Sequence, residues 1–451
     1  MLKYSQLRWL AAMLTISSFL LSCDKAENNA PEIRVLAADI NGQSIAGLTA
    51  KQPTSTTITL TFGSALNANA FKDQLQIQPE EGVLDQSIAY QIAGSKAVIN
   101  LTLASNTNFS FQLNAAEIGV NGEVLKEPFT FDFLTITEDE TITSTDPCIS
   151  NCLETTSISG EQFSYYSNYP LYPDNARWEA LKTAIIVVHG ANRNANEYYA
   201  WLNNSLQETE LTDETILISP LFKVEEEAET GEMYWSGNNW REGDPNISVS
   251  SLSSFEVIDS LVAQLGNNSI FPNLERVIVT GHSSGALFSY LYGAANRMES
   301  SLSSLNFQYI IANSQYFYYP DEQRYSTANQ SLYTPTNCNG YTTWPLGYTN
   351  APSYLDDLGQ ETLNDQLRNR NILYLLGNGT ASDGAFNNTN CAYQLLGDSR
   401  YQRGENMFAY INLKYETNNH QRYIVEGIGH NGQAMYSATE FKNLLNSLVN
   451  N

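Results

Sequence analysis

The amino-acid sequence predicts an α/β fold built on a mainly parallel sheet in its C-terminal two thirds, preceded by a small all-β sandwich. Three observations carry this. Short, continuous apolar runs recur from Ala184 to Val425, separated by segments long enough for helical crossovers, as strands buried on both faces require. Between Glu32 and Phe133 the pattern is instead a period-two alternation punctuated by Gly, Asn and Pro. A stretch rich in Thr, Glu, Asp and Ser separates the two rhythms. The division expected is a signal peptide at 1–22, a tether at 23–31, a sandwich at 32–135, a linker at 136–156 and an α/β domain at 157–451.

Lys3 and Arg8 form a basic start, and Trp9 to Leu21 is an apolar run too short to span a bilayer, which is the pattern of a secretory signal. Its end, Leu20-Leu21-Ser22-Cys23, resembles the lipobox of bacterial lipoproteins, so Cys23 is expected to become the lipidated N-terminus. The acidic Asp24-Lys25-Ala26-Glu27 resembles the tail that directs some lipoproteins to the outer cell surface. The resemblance implies a lipid-anchored protein of a Gram-negative outer membrane. Cleavage removes two cations and no acid, moving the net charge from −25 to −27. With 48 acidic against 23 basic residues, a polyanion such as nucleic acid is excluded as a partner.

In the sandwich the strands are read at 33–36, 56–62, 97–103, 109–113 and 129–133. This region, including "ITLTFGSALN", resembles the bacterial Ig-like domains that precede catalytic domains. A spacer role is expected there, since it gathers no chemically coherent set of side chains.

Five cysteines in an exported chain leave one unpaired unless one is modified, and Cys23 is that one. Cys148–Cys152 and Cys338–Cys391 are the predicted disulfides; the spacings suit no zinc pattern.

In the α/β region, strands are expected at 184–188, 215–219, 276–280, 309–312, 372–376 and 422–425. Gly281-His282-Ser283-Ser284-Gly285 directly follows one of them and opens an amphipathic run from Ala286 to Met298. That is the nucleophile elbow: Ser283 sits in a strained turn that exposes its hydroxyl, and a glycine two residues to either side lets strand and helix approach. His282 is expected to pack within the elbow, pointing away from Ser283. Of the four histidines only His420 and His430 follow Ser283, and His430 lies past the last strand in "VEGIGHNGQAMY", where this fold delivers its base. The turn His189-Gly190-Ala191 ends the first of these six strands, making the main-chain amides of Ala191 and Ser284 the expected oxyanion donors. The acid should follow the 372–376 strand. Asp383 is the first carboxylate there, with Asp398 and then Asp321 as alternatives.

Together these residues resemble exported α/β-hydrolases related in outline to feruloyl esterases and polyhydroxyalkanoate depolymerases. The resemblance spans about residues 160–449 and rests on "VVHGANRNANEYY", "YWSGNNWREGD", "FPNLERVIVTGHSSGA", "IIANSQYFY", "CNGYTTWPLGY", "CAYQLLGDSRYQRGENMFAY" and "VEGIGHNGQAMY". It implies a serine carboxylic-ester hydrolase with no metal or organic cofactor, acting on small or polymeric esters, including polysaccharide-linked ones. Family members commonly carry an Asp where this chain has Thr380, and their paired cysteines match Cys338 and Cys391. A serine peptidase of the same fold and a non-catalytic binding module are the rival readings. Trp235, Trp240 and Trp344, with Tyr234, Tyr341 and Tyr348, either line a cleft or pack as core, with packing favoured.

Overall fold

The computed structural model describes residues 31–450 except 42, 46–47, 49–51, 54, 80–87, 105–106, 137–147, 149–151, 174–176 and 381–385. The signal segment, Cys23 and Asp383 lie outside the described residues.

The C-terminal part is organised by one eight-stranded sheet. Its strands are β1 (Leu153–Ile158), β2 (Glu161–Ser167), β3 (Thr183–Val188), β4 (Thr215–Pro220), β5 (Arg276–His282), β6 (Asn306–Ala312), β7 (Ile372–Gly377) and β8 (His420–Val425). They lie in the order β1-β2-β4-β3-β5-β6-β7-β8, with β1–β2 and β2–β4 antiparallel and every later pair parallel. This is the α/β-hydrolase arrangement. The sheet begins at Leu153, inside the stretch expected to be linker. The β1–β2 hairpin was missed because its alternation of Thr, Ser and Tyr reads as a polar loop.

Strands β3, β4 and β7 are buried along their whole length, as continuous runs such as Ala184-Ile185-Ile186-Val187-Val188 demand. Each such aliphatic side chain contributes roughly 1.5–3 kcal/mol by leaving water. Seven helices of the α/β part matter here: α1 (Ala195–Glu208), α2 (Ser254–Leu265), α3 (Ser284–Ala295), α4 (Gln360–Asn369), α5 (Arg400–Lys414), α6 (Gly432–Ser437) and α7 (Thr439–Asn450). Helix α2 starts on a capping box, in which Ser253 Oγ accepts from Phe255 N and Glu256 accepts from Ser253 N.

Helix α3 departs from expectation. The sequence reads as amphipathic, yet every residue of α3 is buried, because α4 and the 3-10 turn Asn239–Glu242 cover the side that faces away from the sheet.

The N-terminal region forms a five-stranded and a four-stranded sheet around one apolar core that includes Ile58, Leu60, Phe62, Ile99, Phe111 and Phe133. Its strands pair antiparallel except the short Gln52–Pro53, which runs parallel to Phe129–Ile136. The two regions are packed together. Leu36 belongs to the core of the α/β part, Arg34 lies 3.6 Å from Glu256, and Lys96 Nζ donates to the carbonyl of Gly266.

Both predicted disulfides are formed. Cys148–Cys152 closes a five-residue loop before β1, and Cys338–Cys391 joins the segment after β6 to the short helix Cys391–Gln394 after β7.

Candidate active site

Strand β5 delivers Ser283 to the carboxyl end of the sheet, where the chain turns sharply into α3. Ser283 has φ 62° and ψ −114°, a combination that costs a non-glycine residue about 1–3 kcal/mol and persists only where its surroundings enforce it. The enforcement is steric. A Cβ at Gly281 would overlap the backbone of Gly285, and one at Gly285 would overlap the carbonyl of Val188 at the end of β3. Ser283 N donates to Ala312 O of β6, and Ser283 O accepts from Leu287 N in the first turn of α3. The side chain is half-buried.

His430 comes from the loop after β8 and is half-buried. Hydrogen bonds between loops set that loop in place: Gly379 N donates to Ile428 O, Gly427 N to Asn378 Oδ1, and Asn313 Nδ2 to Gly429 O. Asn313, which follows β6, also accepts from Gly377 N at the end of β7, so one amide ties the ends of two strands to the loop carrying His430. The His430 ring stacks on that of His282, with centroids 4.9 Å apart and planes inclined by 21°. His282 does pack within the elbow, but it packs against the candidate base.

His189, buried after β3, accepts at Nε2 from Phe222 N, which leaves Nδ1 to donate to the Gly190 carbonyl. Burial pushes its pKa down to about 3, so the ring stays neutral and holds the turn. A Cβ on Gly190 would lie 2.7 Å from the Tyr198 hydroxyl, so a larger residue would have to displace that side chain. Ala191 is exposed in this turn, and Ser284, which opens α3, is buried. Burial, reinforced by the charges of His430 and Arg400, holds His282 well below the usual imidazole range.

Beside His430 lies a cavity of about 340 Å³ whose lining includes Asn313, Thr380, Asp398, Arg400 and Tyr401. Asp398 is thus near the base. Asp321 is not: Tyr410 and Lys414 hold its carboxylate elsewhere, keeping it below the usual range against the opposing effect of burial. His420 is also remote, bonded to Tyr374 and to the Leu367 carbonyl, with burial pushing it down to about 4. A larger cavity, about 540 Å³, lies between the sandwich and the β1–β2 hairpin, and none of the candidate site residues lines it.

Trp235 and Trp240 are core residues, and Trp240 packs 4.4 Å from the His189 ring and stacks on Phe222. Sequence reading overlooked Asn313, Arg241 and Arg400 as site residues. All three lie within the quoted motifs, but only the folded chain shows what they touch.

No family model and no curated protein sequence matches the chain. Solved structures similar to it include a poly(3-hydroxybutyrate) depolymerase from Bordetella parapertussis (18% identity, 62% of this chain and 82% of that chain, TM-score 0.44). A poly(aspartic acid) hydrolase-1 from Sphingomonas sp. KT-1 is similar at 16% identity, over 67% of this chain and 100% of that one, with TM-score 0.46. An S-formylglutathione hydrolase from Agrobacterium tumefaciens is similar at 10% identity, over 69% and 99%, with TM-score 0.39.

Proposed function

We propose that this protein is a serine carboxylic-ester hydrolase working through an acyl-enzyme on Ser283. The observation that carries the reading is the strained backbone of Ser283 at a strand-to-helix turn, with the His430 ring stacked on the residue immediately before it.

In the proposed reaction Ser283 Oγ attacks the ester carbonyl carbon while His430 takes its proton. The resulting oxyanion faces the main-chain amides of Ala191 and Ser284. Collapse breaks the bond to the alcohol oxygen, which receives the proton from His430, and water then repeats the sequence to release the acid. Asp383 is assigned as the carboxylate orienting His430. Lipid on Cys23 anchors the protein at the outer membrane surface, and residues 32–135, taken as an Ig-like spacer, lift the catalytic part towards extracellular esters, polysaccharide-linked ones among them.

The test is turnover of p-nitrophenyl acyl esters and labelling by a fluorophosphonate. Both are expected in the parent protein, and Ser283→Ala should lose label and at least about 10³-fold in kcat. A folded parent protein that neither turns over the esters nor labels would leave a binding module, and turnover confined to a peptide panel would leave a peptidase.

A further inference from the structure

We infer that Arg241 is a positioning residue for the oxyanion site, acting through the side chain of Ser284; the inference rests on the proposed role of Ser283 and of the Ser284 amide. Arg241 Nη1 donates to Ser284 Oγ at 3.2 Å, and Ser284 directly follows the nucleophile and is buried. The Ser284 amide belongs to the first turn of α3, whose N–H groups find no partner inside the helix and are free to meet a developing negative charge. The direction in which that amide points is set by ψ of Ser283 and φ of Ser284. Ser283 sits in a sparsely populated region, from which it would relax unless held. A charge-assisted hydrogen bond on the Ser284 side chain supplies such a hold on the far side of the peptide.

Arg241 and the turn that bears it are fixed by five features. Its Nε donates to Glu242 Oε1 at 3.0 Å, and its guanidinium lies 5.5 Å from the centre of the Tyr316 ring. The 3-10 turn Asn239–Glu242 that bears it ends on Gly243, at φ 85°, where a Cβ would overlap Phe255. Trp344 Nε1 donates to the Glu242 carbonyl, and Ser253 Oγ to that of Gly243. With Glu242 against it, the guanidinium carries little uncompensated charge, which favours a role as a tether over one as a receptor for an anionic substrate.

The experiment is a double-mutant cycle on p-nitrophenyl acetate with Arg241→Ala, Ser284→Ala and the pair, and with Arg241→Lys as a variant that keeps the charge. Thermal unfolding confirms that each is folded. Arg241→Ala is expected to lower kcat roughly 10- to 100-fold with KM changed less than about threefold, because the loss falls on oxyanion stabilisation. Ser284→Ala should cost a similar factor, the pair no more than the worse single change, and Arg241→Lys should recover part of the loss. An unchanged kcat, multiplicative losses in the pair, or a rise in KM alone would overturn the inference. If Arg241→Ala does not fold, Arg241→Lys and Ser284→Ala decide: kcat at the parent level in both would overturn it. Full activity in Ser283→Ala would instead overturn the underlying reading and leave these outcomes separable from it.

Discussion

The rings of His282 and His430 lie stacked 4.9 Å apart although 148 positions separate them in the chain, so the residue before the nucleophile forms the surface on which the last loop's imidazole rests. His282 is held neutral by burial, so it packs against His430 without adding a charge. Replacing it with Ala should leave a folded protein whose kcat drops roughly 10- to 100-fold, since a displaced base loses its alignment with the hydroxyl. His282→Phe, which restores a flat ring, should recover part of that loss in steady-state kinetics.

The carboxylate that orients His430 is testable by paired substitution. Asp383→Asn should reduce kcat by roughly 10³- to 10⁴-fold, while Asp398→Asn, at an exposed position on the rim of the His430 cavity, should have less than a tenfold effect. The reverse ranking would transfer the role to Asp398.

Asp259 on α2 is fully buried between the Tyr292 and Tyr354 hydroxyls, and burial pushes its pKa up to about 7. Its folded pKa lies above the unfolded value, so between about pH 4 and 7 the unfolded chain has lost a proton that the native state retains. Stability therefore falls as pH rises through that window and stays lowered above it. Asp259→Asn should flatten the dependence and be about 1–3 kcal/mol more stable than the parent at pH 8, as measured by urea unfolding across pH.

Leu36 should behave as a residue of the α/β core although it lies in the sandwich. Leu36→Ala is expected to destabilise the whole protein by about 2–4 kcal/mol, and the two regions should melt in one transition. Two well-separated calorimetric transitions would contradict the packing of one region on the other.

Gly285→Ala should cost at least about 2 kcal/mol, because the added methyl drives α3 away from the end of β3. Soluble protein of parent stability would contradict the close approach.

Much of this site was legible because its chemistry sits on local pattern. Continuous apolar runs identified the parallel strands, glycine spacing identified the elbow, and chain order left His420 and His430, of which only the latter follows a strand. What escaped depends on contacts between distant segments. Arg241 reaches Ser284 across 43 positions, and Asn313 joins two loops that come together only when β6, β7 and β8 are side by side. The buried outer face of α3 was also hidden, since no window of sequence shows that α4 will lie over it.

Close backbone approach around the site has an evolutionary corollary. Gly281, Gly285 and Gly379 each leave too little room for even one extra methyl group against neighbouring backbone, and each meets a segment carrying a proposed reacting group. Altered selectivity should therefore not arise by enlarging these positions. Heritable variation in what the protein accepts should concentrate at exposed positions such as 236–239, beside Arg241, where side chains can change without disturbing the buried scaffold.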